Sequence, residues 1–310
     1  MNKDDMLKLL KKSDSRFKNA RLPRDIKLNY DEGARAVCLF VAKPWDNMQS
    51  DAAAFEGWVL ALKASPLGKD IKTFHLAWDK YTGNKKPERM AYGRFLYRVR
   101  EFLNNFSSLM EVPADFKKEY ANAFESTQPW YINTADQKAD RTTLHAIKKG
   151  CERWVERKMV AGLGEKFVVF GNQFPVGVFK RKVSKETQIM SSSAAAIDLW
   201  GIDKKNTAHI FELKIGANKK VGIISEILFY TSIIAKLQTG GLRFEADNTQ
   251  AKALAASKGV KAHLLVPRNC LHPLITREVM KLMNRHFKQA GISFDVVEYV
   301  NRGDGFAWSL

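Results

Sequence analysis

Cysteine is scarce in this 310-residue chain: Cys38, Cys151 and Cys270 are the only three. No Cys-x-x-Cys occurs and the count is odd. This argues against a disulfide framework and a cysteine zinc site and makes a reducing, cytoplasmic compartment the expectation. The six histidines, His75, His145, His209, His263, His272 and His286, show no metal-ligand spacing. His209 and His263 fall in strand-like runs and read as core or edge residues. There is no Gly-x-Ser-x-Gly elbow to support a Ser-His-Asp hydrolase. There is no Gly-x-x-x-x-Gly-Lys-Ser/Thr loop to power translocation. No apolar run approaches the ~18 residues of a membrane span, and the longest candidate, 221–235, carries Glu226. The N-terminal residues lack an uninterrupted apolar stretch, so a secretory signal is not expected. No internal repeat is visible.

Acid is also in deficit. Lys and Arg number 51 against 33 Asp and Glu, a net charge of +18. A polyanion that releases counterions on binding is the natural partner of such a surface. Basic residues cluster at Lys148-Lys149, Arg157-Lys158, Lys180-Arg181-Lys182, Lys204-Lys205 and Lys219-Lys220. Of these, Arg181, Lys182, Lys204, Lys205, Lys219 and Lys220 are the candidate phosphate contacts, the last two at the start of an expected helix. The expectation is nucleic acid, not membrane.

Against that background, residues 197–214 stand out: Ile-Asp-Leu-Trp-Gly-Ile-Asp-Lys-Lys-Asn-Thr-Ala-His-Ile-Phe-Glu-Leu-Lys. Two apolar runs flank a polar turn at 203–207 with good turn chemistry. An ionised side chain inside an apolar strand is expensive unless it is paired or holds a metal. Here there are three: Asp198, Glu212 and Lys214. Strand alternation puts Ile210, Glu212 and Lys214 on one face and His209, Phe211, Leu213 and Ile215 on the other. A hairpin through 203–207 brings Asp198 alongside Glu212. Two carboxylates and an ammonium then meet at one sheet edge. Oxygen donors of this kind suit Mg2+, with Lys214 placed to hold water or offset phosphate charge.

Asp198 followed across a hairpin by Glu212-Leu213-Lys214 resembles the PD-(D/E)XK nuclease superfamily. Ile197 stands where that family often has proline. The resemblance covers about residues 141–310 and implies an αβββαβ core, a mixed central sheet flanked by helices. The coarse reading runs in that order: a helix over 143–162, in which Leu144, Ile147, Cys151, Val155 and Met159 recur at helical spacing, then a strand at 166–171. The two runs above follow, then a helix at 219–237, a strand at 261–267, a helix at 273–290 and a strand at 293–300. The resemblance further implies Mg2+ or Mn2+ held by Asp198, Glu212 and the Leu213 carbonyl, with a first-helix Glu facing the metal. Glu156 is preferred for that role and Glu152 is the alternative. Glu226 and Tyr230, at i and i+4, are similar to the Gln-x-x-x-Tyr element of the RecB-type branch with Glu in place of Gln. The substrate implied is DNA, since the superfamily is mostly DNA-directed.

Residues 1–140 read as a mainly α-helical domain, with an amphipathic helix at 51–64 and another at 87–109. In the second, Phe95, Val99 and Phe102 are expected inside, and Arg94, Arg98 and Arg100 toward water. Polar residues 131–142 read as a linker to a second domain at 141–310. The N-terminal part leaves room for a protein partner or homodimer contact. Three readings stay open: a metal-dependent nuclease, a non-catalytic nucleic-acid-binding protein of the same fold, and an adaptor or accessory subunit.

Overall fold

The alternation in Ile-Lys-Leu-Asn-Tyr-Asp makes strand β1 (Ile26–Asp31), whose Ile26, Leu28 and Tyr30 are buried and whose Lys27, Asn29 and Asp31 are exposed. The computed structural model describes residues 1–48, 53–124, 129–133, 147–190, 195–216, 220–245, 247–302 and 305–310. Among these the chain is mixed α and β, with eight helices and three sheets. It divides into two compact units, each built from separate stretches of sequence.

The first unit comprises Met1–Ser126, Lys219–Glu226 and Leu271–Phe287. Helix α1 (Lys3–Ser13) is capped by the Asn2 side chain, which accepts the N–H groups of Asp4 and Asp5. Strand β1 pairs antiparallel with β2 (Ala36–Val41). Strand β3 (Thr73–Trp78) lies parallel to β2, and β4 (Met110–Glu111) parallel to β3. Parallel neighbours need a crossover, and helix α2 (Phe55–Ala64), buried from Phe55 through Leu62, lies between β2 and β3 in the chain. Helix α3 (Lys86–Phe106) opens with Pro87 and precedes α4 (Ala114–Phe124).

Both helices expected here are present, although residues 51 and 52 lie outside the described residues. The four-stranded sheet was not anticipated. Phe95, Val99 and Phe102 are buried as expected, but Arg94 and Arg98 are buried too, contrary to their expected outward position. The reason for Arg98 is a partner distant in sequence. Its guanidinium donates to both carboxylate oxygens of Glu56 and to the Ala53 carbonyl at 2.7 Å. Ser225 Oγ donates to Glu56 Oε2 at 2.9 Å.

The second unit comprises Thr127–Asn218, Ile227–Cys270 and Lys288–Leu310. Strand β5 (Trp130–Asn133) leads into it; 134–142 of the expected linker lie outside the described residues. Helix α5 (Glu152–Val160) is shorter than the expected 143–162. Gly150, at φ +82°, turns the chain just before it, and Leu144 lies outside the described residues. Strand β6 (Val169–Pro175) begins three residues later than expected, because Lys166 and Phe167 still donate to the Leu163 carbonyl in a tight turn. Then follow β7 (Gly177–Lys180), β8 (Gln188–Met190), β9 (Ala196–Ile202) and β10 (Ala208–Leu213).

Helix α6 (Gly222–Gln238) carries the chain from the first unit into the second. Helix α7 (Thr249–Ala256), β11 (Val260–Pro267), β12 (Ile292–Asn301) and β13 (Phe306–Trp308) complete the second unit. Helix α8 (Arg277–Phe287), expected in the C-terminal domain, belongs instead to the first unit. There His286 Nδ1 lies 2.9 Å from the Asn105 carbonyl, and the Phe287 and Phe106 rings pack at 5.6 Å. The expected division at residue 140 therefore does not describe the packing.

The main sheet runs β13-β12-β11-β10-β9-β6, and β5-β7-β8 form a small one. Strand β9 is antiparallel to both of its neighbours, β6 and β10, whereas β10, β11 and β12 are parallel. Phe211 and Leu213 of β10 pack in one cluster with Trp154, Val155 and Met159 of α5 and with Leu199, Leu265 and Val297. Burying each such side chain contributes roughly 1.5–3 kcal/mol, so this cluster holds α5 against the sheet. Among the described residues no helix is long and apolar enough to cross a membrane.

Candidate functional site

The β9–β10 ladder runs from Ile202↔Ala208 to Leu199↔Phe211. Asp198 is the next residue on one strand and Glu212 the next on the other. Here Asp198 Oδ2 accepts the backbone N–H of Leu213 at 2.8 Å. Meanwhile β10 stays in register with β11, and the Lys214 N–H donates to the Leu265 carbonyl at 2.9 Å. A carboxylate thus takes over where the hairpin ladder ends.

Glu212 and Lys214 project side by side, as alternation requires. The Lys214 ammonium donates to Glu212 Oε1, and the two residues are only 4% and 2% exposed, Lys214 first. Lys214 Nζ also lies 3.8 Å from Glu152 Oε1. Phe211 and Leu213 face the opposite way, into the cluster beneath α5, with Ile215 packed against it. Tyr299 OH donates to the Lys214 carbonyl at 2.9 Å and fixes the backbone there.

Glu156 sits one turn after Glu152 on α5 and is 3% exposed. Its carboxylate accepts from Asn172 Nδ2 on Oε1 and from Gln173 Nε2 on Oε2, the latter at 2.8 Å. Gln173 Nε2 also lies 3.3 Å from Asp198 Oδ1. Burial raises the Glu156 pKa above the ordinary carboxylate value, and the two amide bonds oppose that rise without cancelling it. Glu152 and Glu212 thus meet at the Lys214 ammonium, while Glu156 and Asp198 meet at the Gln173 amide.

The remaining candidates are more dispersed. Glu226 and Tyr230 are both buried and one turn apart on α6; Glu226 falls in the first unit and Tyr230 in the second. Arg181 and Lys182 are exposed in the β7–β8 turn, and Lys220 is exposed just before α6. Lys219 lies outside the described residues. Lys204 and Lys205 are exposed, but they occupy the β9–β10 turn, at the far end of the hairpin from Asp198. At ~3.3 Å per residue that is on the order of 20 Å away, so this pair does not flank the carboxylates.

Asn172, Gln173 and Tyr299 were not anticipated. The first two carried one signal, consecutive amides in an otherwise apolar strand; Tyr299 carried none. His209 and His263 are buried as expected, but in a polar row. His209 Nε2 lies 3.2 Å from Asp203 Oδ2, His209 Nδ1 lies 3.0 Å from His263 Nε2, and His263 Nδ1 contacts Asp295 Oδ1. Among the described residues no three His, Cys, Asp or Glu side chains are grouped as a metal cage. No family model, curated protein or solved structure matches the chain.

Proposed function

We propose that the second unit is a metal-dependent phosphodiesterase of the PD-(D/E)XK type and that its substrate is DNA. The observation that carries this reading is the meeting of Glu152 and Glu212 at Lys214, and of Glu156 and Asp198 at the Gln173 amide, in a chain whose net charge is +18. Buried carboxylates such as Glu156 and Glu212 call for a cation, and a basic exterior suits a polyanion. The strand order supports the same reading: α5, then antiparallel β6, β9 and β10, then α6 and parallel β11.

The donors fit a hard divalent ion. The carboxylates of Asp198, Glu212 and Glu156 and the Leu213 carbonyl are all oxygen, the donor class that Mg2+ and Mn2+ take. When bound, such an ion supplies Lewis acidity toward a phosphate and lowers the pKa of water. The chain's own groups do the rest. Asp198 and Glu212 bind, and the Leu213 N–H bond orients Asp198. Lys214, held at its backbone by Tyr299 and Leu265, presents an ammonium that orients the attacking water or offsets charge on the phosphate. The exposed Arg181, Lys182, Lys204 and Lys205 supply phosphate contacts that keep the polymer on the surface.

Cleavage of plasmid and linear DNA with Mg2+ tests the assignment, comparing wild type with Asp198→Ala and Lys214→Ala. Loss in both variants is expected; equal activity in all three sinks it. The Lys214–Glu212 ion pair favours a second reading, a nucleic-acid binder in which that pair is purely structural. Such a binder would show no carboxylate-dependent uptake of Mg2+ in calorimetry.

A further inference from the structure

Gln173 adopts φ +51° in the interior of β6, a backbone state that side-chain-bearing residues rarely take. The flanking register is regular, Asn172↔Leu199 and Phe174↔Ile197, so the strand continues through the distortion without a slip. In a regular strand, Asn172 and Gln173 would point to opposite faces. Instead both amides reach the same carboxylate, one on each oxygen of Glu156. Gln173 Nε2 is also within 3.3 Å of Asp198 Oδ1. Strain of this kind persists where surrounding structure imposes it, and it concentrates at functional sites.

We propose that Asn172 and Gln173 form an amide clamp, set by the left-handed turn at Gln173, that fixes Glu156 and Asp198 in the orientation a divalent cation requires. This rests on the metal-dependent reading of the same site. The clamp acts through the carboxylates, so both amides are positioning residues. The donor count supports it. Oε1 of Glu156 is held by Asn172, Oε2 by Gln173, Oδ1 of Asp198 by Gln173 and Oδ2 by the Leu213 N–H. Donors on both oxygens therefore fix the plane of each carboxylate. Outer-shell partners of this sort typically change metal affinity by roughly 10–100-fold when removed.

The clamp can be removed without disturbing the backbone. Glycine takes positive φ freely, so Gln173→Gly keeps the turn and deletes the amide. Asn also tolerates the left-handed region, so Gln173→Asn keeps the turn and draws the amide back by one methylene. Mn2+ is titrated by calorimetry into the full-length wild type, both variants and Asp198→Ala, and each protein is melted without metal. The expected result is a roughly 10–100-fold weaker Mn2+ affinity in both Gln173 variants, with melting midpoints no lower than wild type. Wild-type affinity in both variants, with binding lost in Asp198→Ala, overturns the clamp and leaves the metal reading intact. No Mn2+ binding by the wild type overturns both.

Discussion

Asp198 Oδ2 accepts the Leu213 N–H at 2.8 Å, so one side chain of β9 stands in for a ladder bond where β9 and β10 part. The same carboxylate is a proposed metal ligand, and the two roles separate by substitution. Asparagine keeps an acceptor for Leu213, so Asp198→Asn should unfold within about 1 kcal/mol of wild type. Asp198→Ala leaves that N–H without its acceptor and should lose about 1–3 kcal/mol. Both should lose DNA cleavage by more than the roughly 10–100-fold that outer-shell changes cost. Urea melts and plasmid nicking read the two effects independently.

In the first unit, Arg98 and Glu56 are each about 2% exposed at the side chain, and Ser225 completes the cluster. Removing one partner of a buried pair leaves the other charge without compensation, which costs roughly 3–5 kcal/mol. Arg98→Ala should therefore destabilise by about that much, whereas exposed Arg181→Ala should change stability by less than about 0.5 kcal/mol. Denaturant midpoints compare them directly.

These residues also mark how far the sequence is legible. The β9–β10 hairpin could be read because its features are local. Alternation sorts Glu212 and Lys214 from Phe211 and Leu213. The turn carries its own chemistry: Asp203 Oδ1 accepts the N–H groups of Lys205 and Thr207, and Asn206 takes φ +61°. Arg98 was misread because helical spacing on α3 treats every Arg as outward, while the partner that draws it inward is 42 residues away. The Gln173 turn was invisible because no glycine announces it. The sheet of the first unit was missed because Ala36–Val41 is a short apolar run, which periodicity alone does not assign to strand or helix.

His209 gives a pH dependence with a definite sign. Burial first, then the neighbouring His263 and Lys261 charges, lower its pKa below the ordinary histidine value, against the pull of Asp203. The unfolded chain protonates this residue near pH ~6.5, while the folded protein resists until lower pH. The unfolded state thus binds more protons in that window, and stability falls as pH drops below ~6.5. His209→Gln, which keeps a donor for Asp203, should lose less stability than wild type between pH 7.5 and 5. Parallel urea melts at the two pH values check this; identical slopes in the two proteins would exclude it.

Gly201 in β9 has a steric rather than a conformational reason. A Cβ there would lie 2.4 Å from Phe167 Cγ, and Phe167 belongs to the cluster beneath α5. Overpacking of this kind costs typically about 1–3 kcal/mol. Gly201→Ala should destabilise by that amount, and combining it with Phe167→Leu should recover part of the loss. A double-mutant cycle on thermal unfolding measures the coupling.

Lys214 allows a test in which a cation replaces a side chain. Its ammonium lies on Glu212 Oε1 in a site almost closed to solvent. If a divalent ion uses the same carboxylate, ammonium and ion compete for it. Lys214→Met removes the competitor and leaves Glu212 buried beside a methionine, at a cost of roughly 3–5 kcal/mol without metal. Ligand that binds only the folded state stabilises by RT ln(1 + [L]/Kd), about 2.7 kcal/mol at 100 times Kd. Ca2+ should therefore raise the melting midpoint of Lys214→Met by more than that of wild type, and Glu212→Gln in the same background should abolish the difference. An equal Ca2+ response in wild type and Lys214→Met would mean that the ion and the ammonium do not share Glu212. Lys214 would then act on water or phosphate from beside the metal rather than by exchanging places with it.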